Sequence, residues 1–577
     1  MAALVNALDN YSPQQKIGEN GHVEYGWSTS IQEKIVQFSF QLLRNSENEM
    51  SLVLSNMLAS LKYQLENGLL PEKQVAKGYL SILYRMIGQT RDIIDGKGEY
   101  TLSYMMIYTW YLFFPELSTF ALKCFVDLGD KKTHQYGSWK DIKYFCKFCI
   151  SHGASMDHPL IMEAIHITNE QLRKDVVTES TPSLAAKWIP REKSSFGWLY
   201  QALATDYFSL YMATADSQVR SVKAVLKCKT EYRKILSGLN KKIDTLQIKQ
   251  CANIWTDINF ESVTSVSLGK QKKAFLNVNK LGCTRYPDRA DRVDCAMHFS
   301  EHVTKAIHNE REMKGKRVAM ADFTRQAINL THYNGSQIEN DLLNSQWRDN
   351  STMTGTLGNM IPMVDLSGSM NGEPMDVAIA LGIRIAEKSK LGKRVMTFSM
   401  NPRWINLEPY SDFVSQVKVV SSGDVGYNTD FYKALDVILD SIIENKMDPE
   451  DVQDMVLTIL SDMQIDEADT TINSNQKREA LYNTIEQKYA VAGIRVHGKP
   501  YKPPHILFWN LRNTTGFPCL SREKNVSMMS GFSPALLNLF CDKGICALQS
   551  CSPWSILNES LEKERYTIMG EYLEKLL

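Results

Sequence analysis

The sequence predicts a two-part chain: an all-α helical-repeat region over residues 1–345, then a doubly wound α/β domain over 360–545. Three observations lead there. At 577 residues the chain is too long for one hydrophobic core, so two or three domains are expected. Up to about residue 345 apolar residues recur three and four apart, the period of an amphipathic helix. Beyond 360 that rhythm gives way to short, continuous apolar runs separated by amphipathic helices, the pattern of a parallel sheet covered on both faces.

In the first part, "SLVLSNMLASLKYQLENG", "KGYLSILYRMIGQTRDI" and "YRKILSGLNKKIDTLQIKQCANIW" carry the helical spacing with charges between, and no β-hairpin signal interrupts them. A series of such helices must stack pairwise to bury its faces, which indicates an α-solenoid. No fixed period is visible. The polar stretch 346–359 is the expected linker. In the second part, 360–365, 394–399, 455–462, 505–511 and 526–531 are the expected strands. "RVMTFSMNPRWINL" adds an antiparallel edge strand through a turn at 400–402, and "EPMDVAIALGIRIAEKS", "TDFYKALDVILDSIIENK", "NQKREALYNTIEQKYA" and "SPALLNLFCD" supply the helices. Residues 546–577 are expected to be a C-terminal helical segment.

Composition narrows the class. With 44% apolar and 23% charged residues the chain is an ordinary folded protein, and its 65 basic and 65 acidic residues cancel. They are unevenly placed: residues 220–320 hold 21 Lys/Arg against 10 Asp/Glu, whereas 351–577 hold 22 against 28. A basic block favours a polyanion-binding surface; solvated helix faces are the plainer reading. Eleven irregularly spaced cysteines and an N-terminus without a signal-peptide pattern point to the cytoplasm, with the nucleus as the other reducing compartment. Cys146 and Cys149 form a lone C-x-x-C without further ligands nearby and are expected to be buried helix cysteines. The most apolar stretch, 104–115, is shorter than the roughly 20 residues of a membrane span, so no membrane association is expected.

"MVDLSGSMNG" at 363–372 places Asp365, Ser367 and Ser369 at alternate positions after the first strand. Ligands of doubly wound folds sit beyond the carboxyl ends of the strands. Thr429, before an amphipathic helix, and Asp462, at the end of the most apolar strand, fall on the same rim. Each alone is explained by a helix cap or a turn. Together they form an all-oxygen set suited to a hard cation, Mg²⁺ with Mn²⁺ or Ca²⁺ as alternatives.

With "VDLSGSM", the later threonine and the later aspartate, the region 363–545 resembles a von Willebrand factor A domain carrying a metal-ion-dependent adhesion site. The resemblance implies that Ser367, Ser369 and Thr429 approach the metal through hydroxyls and that Asp365 and Asp462 act directly or through water. It also leaves one position for a partner's carboxylate. "SDM" stands where Asp-Gly is more usual, a change in loop shape. Upstream, "QTRDIIDGKGE", "YGSWKDI" and "LAAKWIPRE" resemble the TROVE module of the Ro and telomerase-associated RNA-binding proteins, which is built of HEAT-like repeats. "YRKILSGLNKKID", "GYNTDF", "LSDMQID", "LFWNLRN" and "MSGFSPALL" look like signature segments of an uncharacterised eukaryotic and large-virus family combining both modules. That likeness adds the virion as a location, should the chain be viral.

The TROVE resemblance implies RNA, structured or misfolded, held with little sequence specificity. Lys223, Lys227, Lys229, Arg233, Lys234, Lys241 and Lys242 crowd one helical stretch and would give salt-sensitive phosphate affinity. Arg91, Lys97, Lys187 and Arg191 are secondary candidates, with ion pairs or caps as the competing explanation. Clusters near Lys272 and Lys316 extend the block, and no aromatic RNA-binding motif accompanies it. No phosphate loop, nucleophile elbow or zincin motif occurs, and Ser367 and Ser369 have no histidine nearby to act as base. His298, His302 and His308 with Glu301 make only a thin metal set. The expectation is a non-enzymatic RNA-binding scaffold; the alternative is an interaction module whose metal captures an acidic residue of a protein partner.

Overall fold

The structure, a computed structural model, describes residues 15–129, 133–333, 335–399, 401–422, 431–465, 480–541, 543 and 545–577. It divides into two compact units. The first takes residues up to 53, 264–272 and 300–563; the second takes 54–263, 273–299 and 564–577.

The first unit carries a hairpin of β1 (Gln15–Ile17) and β2 (Val23–Tyr25) and a six-stranded sheet of β3 (Met360–Asp365), β4 (Arg394–Phe398), β5 (Arg403–Asn406), β6 (Val456–Ser461), β7 (His505–Asn510) and β8 (Val526–Ser530). The sheet order is β5-β4-β3-β6-β7-β8, and only β5 runs antiparallel, to β4. Every residue of β3, β6, β7 and β8 is buried, so their mostly apolar runs fit helices covering both faces. The edge strand β5 buries only Ile405. All five expected parallel strands and the antiparallel edge are present; Met400 of the expected turn lies outside the described residues. The Glu373–Lys388 helix lies close on β3. A Cβ at Gly382 would come within 2.4 Å of Val364 Cγ2, so glycine sets that approach. "SPALLNLFCD" forms a 3₁₀ turn, Pro534–Phe540, in place of the expected α-helix.

In the second unit the Leu70–Arg91 helix packs on Thr101–Tyr111, which packs in turn on Pro115–Cys124 and Lys140–Ser151. Cys146 and Cys149 are buried within the last of these, and burial pushes both thiols up. Eight of the eleven residues of Thr101–Tyr111 are buried, so the most apolar stretch is a core helix. Among the described residues no helix is long and apolar enough to cross a membrane.

Four expectations about organisation need correction. Residues 346–359 are not simply a linker, because the Gln337–Ser351 helix runs through 346–351. Trp347 is buried there and stacks on Phe413 at 3.8 Å, an anchor that the surrounding polar residues conceal. The helical region does not extend as one domain to 345, since 300–345 fold with the sheet. The N-terminal segment also joins the sheet unit: Val23 pairs with Ala480, and Tyr25 with Phe517. Finally, 546–577 divides. The Ile545–Ser550 and Pro553–Leu561 helices stay with the sheet, while Glu564–Leu576 closes the helical unit. There Arg565 donates to both Asp92 oxygens at 2.9 and 2.7 Å, Tyr566 Oη donates to Asp92 at 2.9 Å, and Tyr572 stacks on Phe120.

Candidate functional site

The strand order reverses between β3 and β6: from β3 the chain moves to β4 on one side, and from β6 to β7 on the other. A doubly wound sheet opens a crevice at the carboxyl ends of such a strand pair. Asp365 ends β3 and Asp462 follows β6, so the two carboxylates meet at the reversal.

Local chemistry orders the first loop. The Ser367 backbone N–H donates to Asp365 Oδ1 at 2.9 Å, a turn that aspartate favours. Ser367 and Ser369 hydroxyls stand 3.1 Å apart at a 3₁₀ turn, Gly368–Met370. Gly372, at φ +96°, then starts the Glu373–Lys388 helix. Across the reversal, Ser461 Oγ donates to Asp365 Oδ2 at 2.6 Å. Asp462 Oδ1 accepts from the Gln464 backbone N–H at 3.1 Å, and its Oδ2 faces Arg512 Nη1 at 3.4 Å. The same guanidinium nitrogen donates to the Ser369 carbonyl at 3.1 Å. Asp365, Ser367, Ser461 and Asp462 are fully buried.

Electrostatically the site is short of positive charge. Burial first, and Asp462 second, hold the Asp365 carboxyl well above the usual range; burial likewise raises Asp462. Arg512 is the one cation paired with either carboxylate among the described residues, and its side chain is 47% exposed. Carboxylates and hydroxyls gathered at one strand reversal are the donor types a hard cation takes. The structure therefore brings together Asp365, Ser367, Ser369 and Asp462. Thr429 lies outside the described residues. Sequence reasoning missed Ser461 and Arg512; Arg512 follows β7 by two positions, so the rule of strand ends that found Asp462 also points to it.

Among the described residues no group of three or more His, Cys, Asp or Glu is placed to hold a metal. His298, His302, His308 and Glu301 accordingly form no such centre: His298 is exposed, His302 buried, and Glu301 is paired with Lys305.

The basic candidates separate by burial. Lys223, Lys227, Arg233, Lys234, Lys241 and Lys242 are exposed on the Gln218–Ile243 helix. Arg233 pairs with Glu192 at 2.5 Å, Lys234 with Glu231 at 2.8 Å, and Lys227 lies 3.9 Å from the Tyr211 ring centre. Arg191 is exposed and Lys187 half-buried. Arg91 and Lys97 are not surface groups and are withdrawn as RNA contacts. Arg91 is fully buried and joined to Asp141 by two hydrogen bonds of 2.6 and 2.8 Å. Lys97 is buried, and burial pushes its ammonium down to about 7.

Comparison with known proteins gives two family matches. Residues 160–351 match a domain of unknown function (DUF2828), and residues 359–568 match another (DUF7788). The chain is also similar to an uncharacterized protein of Acanthamoeba polyphaga mimivirus. The two are 27% identical over 505 residues, spanning 84% of this chain and 79% of the viral one. The chain thus joins two domains of unknown function and has a large-virus relative along most of its length.

Proposed function

We propose that this protein is a non-enzymatic RNA-binding scaffold whose α/β domain holds a divalent cation. One observation carries the reading. Lys223, Lys227, Lys234 and Lys241 are four, seven and seven residues apart, intervals that return to one side of a 3.6-residue helix. All four are exposed. Lys223 and Lys241 have no ion-pair partner among the described residues, so one face presents a row of ammonium groups to solvent. Such a row suits a phosphate backbone, and the TROVE-like segments point the same way.

A salt series tests it. Nitrocellulose filter binding of structured and single-stranded RNA should show affinity falling steeply with salt, with a logarithmic slope of about 0.7–0.9 per phosphate neutralised. Replacing the four lysines by alanine should lower that slope by about 3. Absence of binding at low salt, or binding indifferent to salt, would sink the reading.

A second reading is favoured by the buried, underneutralised Asp365 and Asp462 at the sheet reversal. There the chain is an interaction module, and Asp365, Asp462, Ser367, Ser369 and Thr429 would hold Mg²⁺. The bound ion would supply the charge that takes a partner's carboxylate. Asp365→Ala should then abolish partner capture without unfolding the protein. Capture that survives both the substitution and chelator would refute it.

A further inference from the structure

The Lys140–Ser151 helix buries Ile142, Phe145, Cys146 and Cys149 in the second unit. Positions 140, 143, 144 and 147, spaced three and four apart, share another face, and three of them are lysines. The Lys140 ammonium lies 5.0 Å from the Tyr100 ring centre and 5.2 Å from that of Tyr144. Lys143 lies 5.3 Å from Tyr144 and 4.9 Å from Trp188, and Lys147 lies 6.0 Å from Phe196. Phe196 in turn meets the Tyr144 ring edge-on at 5.8 Å. Rings and ammonium groups therefore alternate across one surface, on which Tyr144 is 37% exposed and Lys147 is exposed.

That surface has cations without anions. Asp141, on the same helix, is turned inward to Arg91, and Glu192 is taken by Lys229 and Arg233. Among the described residues no carboxylate pairs with Lys140, Lys143 or Lys147. Lys143 is held below the ordinary lysine value, by burial first and by Lys140 second. An anion placed between these ammonium groups would relieve their repulsion. Sites for single-stranded nucleic acid join a positive groove to aromatic rings on which bases stack, whereas duplex RNA is held through its backbone and keeps its bases stacked inside.

We propose that this face is a stacking platform for single-stranded RNA, with the rings of Tyr144, Trp188 and Phe196 taking bases and Lys140, Lys143 and Lys147 taking the phosphates between them. The lysine stems are flexible enough to swing from ring face to phosphate. The proposal rests on the RNA-binding reading and adds to it the strandedness of the ligand and the residues that touch bases.

Fluorescence anisotropy of the full chain with a labelled oligouridylate and with a fully paired RNA hairpin tests it. Tyr144→Ala should weaken oligouridylate binding about fivefold or more and hairpin binding by less than about twofold, while Tyr144→Phe keeps the stack and the affinity. Lys147→Ala should also weaken the oligouridylate. Both side chains reach solvent, so unchanged thermal melting is expected as a check on folding. If Tyr144→Ala combined with Lys147→Ala leaves oligouridylate affinity within about twofold, or weakens both RNAs alike, the platform is overturned. Should that combined variant bind normally while the Lys223, Lys227, Lys234 and Lys241 replacement does not, the platform falls and the RNA-binding reading stands. No binding of either RNA by the natural chain defeats both. Capture of a poly-glutamate peptide that Tyr144→Ala weakens, in a chain that does not bind oligouridylate, would assign the face to an acidic protein and overturn the platform.

Discussion

Each unit buries a charged centre, and the two are built on opposite principles. In the helical unit Arg91 faces Asp141 through two parallel hydrogen bonds, Tyr104 Oη donates to the same carboxylate at 2.7 Å, and the Ser138 backbone N–H donates at 2.8 Å. The Tyr100 ring covers the guanidinium at 4.0 Å. One cation meets one anion, and both carboxylate oxygens are satisfied. In the sheet unit two carboxylates, Asp365 and Asp462, are buried beside one partly exposed guanidinium. A buried charge is tolerated when paired. The first centre is therefore charge-balanced as a structural clamp, with Arg91 Nη1 left as its one buried donor without a partner, whereas the second is one positive charge short where a sheet of this topology takes ligands.

The sharpest way to break that comparison is to open the clamp. Asp141→Ala leaves Arg91 buried and unpaired and should cost about 3–5 kcal/mol of unfolding free energy in a denaturant titration; a loss under about 1 kcal/mol would remove the contrast. Adding Mg²⁺ should act on the other centre alone. At a hundredfold excess over its Kd it should stabilise the chain by about 2.7 kcal/mol, read as a rise in Tm, and Asp365→Asn or Asp462→Asn should abolish that rise. In chelator, Asp365→Asn relieves carboxylate repulsion and should stabilise the chain by about 1–2 kcal/mol, opposite in sign to Asp141→Ala.

The pH dependence follows from the same shortage. Asp365 is pushed up to about 7 in the folded chain, against about 3.9 unfolded. The folded state thus holds a proton that the unfolded state releases, and stability in chelator should fall as pH rises from about 4 to 7. Melting curves across that range check the sign, and saturating Mg²⁺ should flatten or reverse the slope. The smallest effect is expected for Arg512→Ala. Its long, partly exposed pair with Asp462 should cost under about 1 kcal/mol, while removal of a competing cation should tighten Mg²⁺ binding in calorimetry.

Much of the sheet unit was legible in the sequence. Strands buried on both faces are mostly apolar, without polar alternation, so β3, β6, β7 and β8 stand out in the sequence, and polar residues begin where such a strand ends. That local rule places Asp365, Ser367, Ser369 and Asp462 together at the strand ends, as the structure has them, and helical period and charge place the exposed lysines of Gln218–Ile243. Where the local signal was ambiguous, the reading failed. Arg91 and Lys97 looked like other basic residues, because whether a guanidinium lies inside depends on a carboxylate 50 positions away. Trp347 made a polar stretch into a packed helix through Phe413 and Arg384, over whose side chain its ring lies at 4.1 Å.

By itself, then, the sequence determined the kinds of element, the order of the parallel strands along the chain, and the oxygen-rich loops at their ends, since each depends on periodicity within a few residues. Tertiary structure alone decided which segments share a core. It sent the N-terminal hairpin to Ala480 and Phe517, the last helix to Asp92, and Ser461 and Arg512 to the carboxylate pair. Those pairings join residues distant along the chain, and their energy is realised only when burial strips water from both partners, a condition that no local pattern encodes.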